Sequence, residues 1–209
     1  MPRKLVPEMT LDTFEDEVLF TTAALEADED AHDLASTTAH WLEGIDEVES
    51  TDRQVRQAIA SADAKRSMAN QRLDIAVLKF ADDLLADVDK DRESPRWLEF
   101  FKLAPSRFVK VALADQVNTV QGWVSSSSDP ILLEHLDSLS RRATDAQSAL
   151  VSTTGLSSRR STLKQKRAQL GESLTTDRDA LHRKLAERAQ ERKLPRSWAD
   201  AFFRTDGGE

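Results

Sequence analysis

Apolar residues recur at three- and four-residue intervals along most of this chain, the spacing of long amphipathic helices. Leu11, Phe14, Val18, Leu25, Ala35, Ala39 and Leu42 form one stripe between Thr10 and Gly44, where a residue without a Cβ predicts a helix stop. Thr51 followed by Gln54 reads as a capping box opening a second helix. Its stripe of Val55, Ile59, Ala62, Ala69, Leu73, Ala76, Phe80, Leu84 and Val88 runs to Ser94-Pro95, where Ser94 caps a new helix with Pro95 in its first turn. The two long helices are expected to pair as an antiparallel hairpin turning near residue 47.

The second half repeats the plan less regularly. Ser106 is expected to cap a helix through Phe108, Gln116, Val120 and Trp123, and Asp129-Pro130 to open another that stops near Gly155. A basic helix follows from about Ser158 to Lys193, with Leu163, Leu170, Leu174, Leu181 and Leu185 on its apolar side, closed by Leu194-Pro195. The pattern predicts an all-α fold: an elongated bundle of two coiled-coil-like hairpins, residues 1–105 and 106–209, each ending in a short aromatic helix.

Those aromatic ends are the clearest internal signal. Pro95-Arg96-Trp97-Leu98-Glu99-Phe100-Phe101-Lys102 resembles Pro195-Arg196-Ser197-Trp198-Ala199-Asp200-Ala201-Phe202-Phe203-Arg204, with two residues inserted. The prolines lie 100 apart in a chain of 209, the spacing of a tandem duplication. Half of the eight Phe and half of the four Trp fall in these two segments, so each either closes a core or docks a partner. The docking reading takes Trp198, Phe202 and Phe203 with Arg196 and Arg204 as its anchors, and Trp97, Phe100 and Phe101 as the earlier copy.

Composition adds charge to this picture. The net charge of −8 conceals 12 Lys and Arg against 24 Asp and Glu in residues 1–105, and 17 against 13 in residues 106–209. Residues 159–196 alone hold 12 basic and 5 acidic side chains. The halves are expected to attract one another or to present solvated faces; nucleic-acid or anionic-surface binding through residues 159–196 is the alternative. Within the expected hairpin, Asp28 would face Arg66 as a buried polar pair fixing register.

Candidate chemistry is sparse. The chain has no Cys and no Tyr, so thiol and zinc-thiolate chemistry are excluded. No nucleophile elbow, phosphate loop or dinucleotide fingerprint occurs, and no catalytic residue is assigned. Glu29-x-x-His32 has the spacing used by di-iron helical bundles, with Asp179-x-x-His182 as its nearest counterpart, which makes a metal-binding bundle the second alternative. No cofactor is assigned, and a small-molecule substrate is not indicated. No apolar run is long enough for a transmembrane helix and no secretory signal follows Met1, so a cytoplasmic protein is expected. Gly207-Gly208-Glu209 resembles the terminal Gly-Gly-Glu of prokaryotic ubiquitin-like modifiers, whose last carboxylate is conjugated. That resemblance covers three residues; the modifiers are short and largely disordered, and the rest of this chain departs from their pattern. The expected function is non-catalytic: an adaptor or assembly protein that binds another protein or a second copy of itself along long helical surfaces.

Overall fold

A computed structural model describes residues 2–6 and 8–204, and all their regular structure is helical. The terminal Gly207-Gly208-Glu209 lies outside the described residues. The helices are α1 (Leu11–Ala27), α2 (Ala39–Asp87), α3 (Pro95–Phe100), α4 (Pro105–Phe108), α5 (Leu113–Ser126), α6 (Pro130–Thr153) and α7 (Leu156–Arg192). Two 3-10 helices, His32–Thr38 and Arg196–Phe202, precede α2 and follow α7.

Several boundaries follow from local chemistry. The Thr10 hydroxyl accepts from the Thr13 amide at 3.1 Å and caps α1. Ser94 caps α3 through the Trp97 amide at 3.2 Å, with Pro95 in the first turn. Asp129 receives the Ile131 and Leu132 amides at 2.9 and 3.2 Å and opens α6. Gly155, at φ +87°, makes the turn from α6 into α7, a conformation that favours a residue without a Cβ.

The first expected hairpin does not form. Helix α2 continues for 49 residues through both Gly44 and Thr51. Gly44 is helical, and a Cβ there would lie 3.2 Å from Leu170 Cδ1, so this glycine admits a close neighbour on α7 rather than ending a helix. Thr51 donates one turn back to the Glu47 carbonyl at 2.8 Å, a bond available inside a helix, and caps nothing. The break falls earlier, at Asp28, whose side chain accepts from the Asp30 amide at 2.8 Å and turns the chain out of α1. The helix expected from Ser106 to Trp123 is also divided: Pro105 opens α4, and α5 begins only at Leu113. Gln116, fully buried, donates to the Val109 and Val111 carbonyls at 3.3 and 3.2 Å and satisfies the backbone of that break.

The chain forms two compact units. Unit 2 is continuous, residues 57–156; unit 1 joins residues 1–56 to residues 157–209. The boundaries between them fall inside α2 and at the start of α7.

Unit 1 packs Phe14, Val18, Leu25, Trp41 and Ile45 against Leu174, Leu181 and Leu185 of α7. Leu5 is buried, and its amide donates to Thr175 Oγ1 at 3.1 Å. A Cβ on Gly171 would meet the Leu5 carbonyl oxygen at 2.9 Å, so the N-terminal segment crosses α7 where only glycine leaves room. The charge asymmetry is used inside this unit. Arg188 pairs with Asp33, Arg192 with Asp30 and Lys166 with Glu47, in each case α7 against the acidic N-terminal segment. Arg178 Nη2 donates to Glu17 Oε2 at 2.6 Å, and the two side chains are 0% and 2% exposed. Arg178 Nη1 donates to the Arg3 carbonyl at 3.1 Å. Burial pushes the Arg178 guanidinium below its ordinary pKa, while the Glu17 carboxylate opposes that shift.

Unit 2 gathers Leu73, Val77, Phe80 and Leu84 of α2 with Val117, Val120 and Trp123 of α5 and Leu132, Leu139, Ala143 and Ala146 of α6. Arg96 ties its corner by bridging Asp129, the cap of α6, and Asp87 at the end of α2. The contact with Arg96 holds the Asp129 carboxyl below the usual range.

Replacing one member of the buried pair, as in Glu17→Gln, is expected to cost about 3–5 kcal/mol in chemical denaturation. Replacing both by apolar residues, Glu17→Leu with Arg178→Met, should recover most of the loss. A single-variant cost below about 1 kcal/mol would mean that the buried charge is compensated without its partner.

Candidate functional site

The C-terminal aromatic segment turns inward. Phe202 and Phe203 are 3% and 4% exposed and belong to the unit 1 core. Trp198 is half-buried; its ring meets Phe202 edge-on at 4.8 Å and its indole N–H donates to Asp28 Oδ2 at 2.9 Å. The Arg178 guanidinium lies 5.5 Å from the Phe203 ring centre, and His182 Nε2 contacts Asp200 Oδ1 at 2.9 Å. Only Arg196 and Arg204 of the proposed anchor set are exposed, and Arg204 rests over the Phe20 ring at 5.5 Å. The three rings close a core, because a short helix after Pro195 lies along α7 with its apolar side inward.

The earlier copy behaves in the same way. Trp97, Phe100 and Phe101 are buried in unit 2 around Phe80, whose ring lies 5.2 Å from Phe100, 5.8 Å from Phe101 and 5.9 Å from Trp123. Leu98, between them, is the exposed apolar residue of that segment. Of the expected Asp28–Arg66 pair, Asp28 lies in unit 1, where it accepts from Trp198, and Arg66 is exposed in unit 2.

His32 and Glu29 are exposed, and His182 is engaged by Asp200. Among the described residues no group of three or more His, Cys, Asp or Glu could hold a metal ion.

Two clefts are rich in cations. In unit 2 a cleft of about 630 Å³ lies between α2 and α6. Its rim carries Lys65 and Arg72 from α2 with Arg141 and Arg142 from α6; Asp145, paired with Arg142 at 3.4 Å, is its one acid. Lys65, Arg72 and Arg141 are exposed and form no ion pair among the described residues. Ala64, Ala69 and Ala149 supply small apolar positions within it, and Met68, 48% exposed, projects beside them. Ile75, one heptad on from Met68, extends this apolar edge at 60% exposure.

In unit 1 a cleft of about 580 Å³ is lined by the start of α1, by α2 and by α7. Arg160, Lys164 and Arg167 of α7 line it at i, i+4 and i+7, on one helix face. Leu11, Val48 and Leu163 are its apolar residues. Of its acids, Asp52 pairs with Arg56 at 2.5 Å and Glu49 with Arg53 at 2.9 Å, while Asp12 forms no ion pair among the described residues. Arg167 Nε is buried without a hydrogen-bond acceptor.

Neither cleft was anticipated from apolar stripes, although both leave a trace in sequence. Lys65 and Arg72 stand seven apart beside the α2 stripe, and the α7 cations follow helical spacing. No protein-family model, no curated protein and no solved structure matches the chain. Among the described residues no helix is long and apolar enough to cross a membrane.

A polar contact beneath α2 titrates. Among the described residues Asp74 Oδ1 and Gln116 Oε1 are both buried without partners, while Asp74 Oδ2 accepts from Asn70 Nδ2 at 2.9 Å. Burial raises the Asp74 pKa above 3.8, and the Gln116 side chain partly opposes the rise. A raised folded-state value means that the Asp74 contribution to stability is complete below the unfolded pKa and is lost as pH climbs through the folded one. Asp74→Asn, which supplies a donor without charge, is expected to stabilise the protein by about 1 kcal/mol at pH 7, with the gain disappearing toward pH 4. Thermal melts of both proteins across that range test it; a gain independent of pH would remove titration from the account. Phe202→Ala is expected to lower stability by about 3–5 kcal/mol, as a core ring does. A loss within about 0.5 kcal/mol, the range of surface positions, would return Phe202 to the surface.

Proposed function

We propose that this chain is a non-catalytic protein-interaction protein, an adaptor or assembly component, whose docking surface is the α2–α6 cleft of unit 2. The observation that carries the proposal is the set of unpaired cations, Lys65, Arg72 and Arg141, beside an exposed Met68 in a chain of net charge −8. A chain with an excess of acid leaves these cations without counter-ions around small apolar residues. That is the complement of an amphipathic helix with an apolar stripe and acidic flanks. Methionine suits such a site because its unbranched side chain adapts to the shape of what covers it. The occupant proposed is such a helix from a partner protein, in preference to a second copy of this chain.

This reading replaces the aromatic anchors with a basic, Met-containing edge. The recurrence of a proline followed by a Trp and a buried Phe pair in each unit supports the duplication as part of the proposal, with the repeated segment serving as a core closure. Cytoplasmic residence is likewise part of it. The α7 cations favour the nucleic-acid alternative less, because Lys166, Arg178, Arg188 and Arg192 are taken up by acids of unit 1.

Native mass spectrometry of tagged protein purified gently from its host is expected to show one stoichiometric protein partner. Charge reversal at Lys65, Arg72 and Arg141 should reduce that capture by at least about tenfold, with stability changed by less than about 0.5 kcal/mol per site because all three are exposed. The bare chain alone in every preparation, or capture unchanged by charge reversal, would defeat the proposal.

A further inference from the structure

We propose that the unit 1 cleft between the start of α1, α2 and α7 is a binding site for a small phosphate-bearing molecule, independent of the docking surface on unit 2. Three features of the cleft converge on an anion. Arg160, Lys164 and Arg167 present three cations from successive turns of one helix face, and none has an acidic partner among the described residues. The acids of the opposite α2 wall do not compete for them, because Asp52 is held by Arg56 and Glu49 by Arg53. Among the described residues the Arg167 guanidinium has no acceptor, and its buried Nε is left unsatisfied, whereas buried donors in folded proteins nearly always have one. An oxyanion in the cleft offers the outer nitrogens of that guanidinium a charged partner.

The start of α1 adds to the same field. Thr10 and Leu11 line the cleft, and the first amides of a helix have no partners within it, so this end of the 17-residue α1 carries positive partial charge. Phosphate fits the set better than a carboxylate does, since it offers enough oxygens for two guanidinium groups and an ammonium at once. The remainder of the cleft specifies the body of the ligand. Val48 and Leu163 give it an apolar surface, and the Asp12 carboxylate accepts from a hydroxyl or amine. The volume of about 580 Å³ lies within the range of small-molecule sites.

Inorganic pyrophosphate is the probe, titrated into the full chain by calorimetry at low ionic strength. Saturable binding of one equivalent is expected with Kd below about 1 mM. Arg160→Gln with Lys164→Gln, both exposed positions that leave the core untouched, should weaken it by at least about tenfold. Adding Arg167→Gln should abolish it, with an unchanged helical circular-dichroism spectrum showing that the fold survives. Asp12→Asn, which removes a carboxylate lining the cleft, should tighten it. The proposal is overturned by no saturable binding up to about 10 mM, or by binding that the α7 substitutions leave intact. Either result leaves the docking proposal standing, because no residue tested here lines the α2–α6 cleft.

Discussion

An ion pair sealed from water joins the two separated stretches of chain that make unit 1. Glu17 comes from α1 and Arg178 from α7, 161 residues away, and neither side chain touches solvent appreciably. Such a pair contributes little net stability compared with apolar residues of the same volume, because both charges must be stripped of water. It contributes specificity instead, since an α7 docked out of register would leave each charge buried without the other. The neighbouring contacts depend on that register: Leu5 against Gly171, Phe203 under the guanidinium, and the carbonyl of Arg3 on the remaining arm.

Around this pair the surface charges repeat the same instruction at lower energy. Each exposed bridge between α7 and the N-terminal segment is worth at most about 1 kcal/mol. Their value lies in sign. An acidic first segment and a basic returning helix attract over a distance comparable to the screening length and repel their own copies. Part of the imbalance along the chain is thus taken up within unit 1, and the cations of the two clefts are among those left available to outside molecules.

The helical character, the caps at Thr10, Ser94 and Asp129, and the apolar stripes were legible in the sequence because each depends on neighbours within a turn or two. Gly44 misled for the opposite reason: a glycine that ends a helix and one that admits a Leu170 methyl look identical until the partner helix is in place. The acceptor role of Asp28 depends on Trp198, 170 residues on, which no local pattern announces. The aromatic repeat was legible as a repeat, but whether its rings faced in or out depended on tertiary contacts. The clefts were the least visible feature, since they are defined by what fails to cover a few cations rather than by any motif.

Splitting unit 1 between the two ends of the sequence fixes an order of assembly during synthesis. Unit 2 is contiguous and can complete its core as soon as residue 156 has left the ribosome, whereas Phe14, Val18 and Leu25 must wait for α7. For that interval the N-terminal segment is a solvated, strongly acidic stretch, and its self-repulsion protects the waiting apolar stripe from premature association. The last described aromatic residues, Phe202 and Phe203, then act as the final fastening of a unit whose first helix was made at the opposite end of the chain.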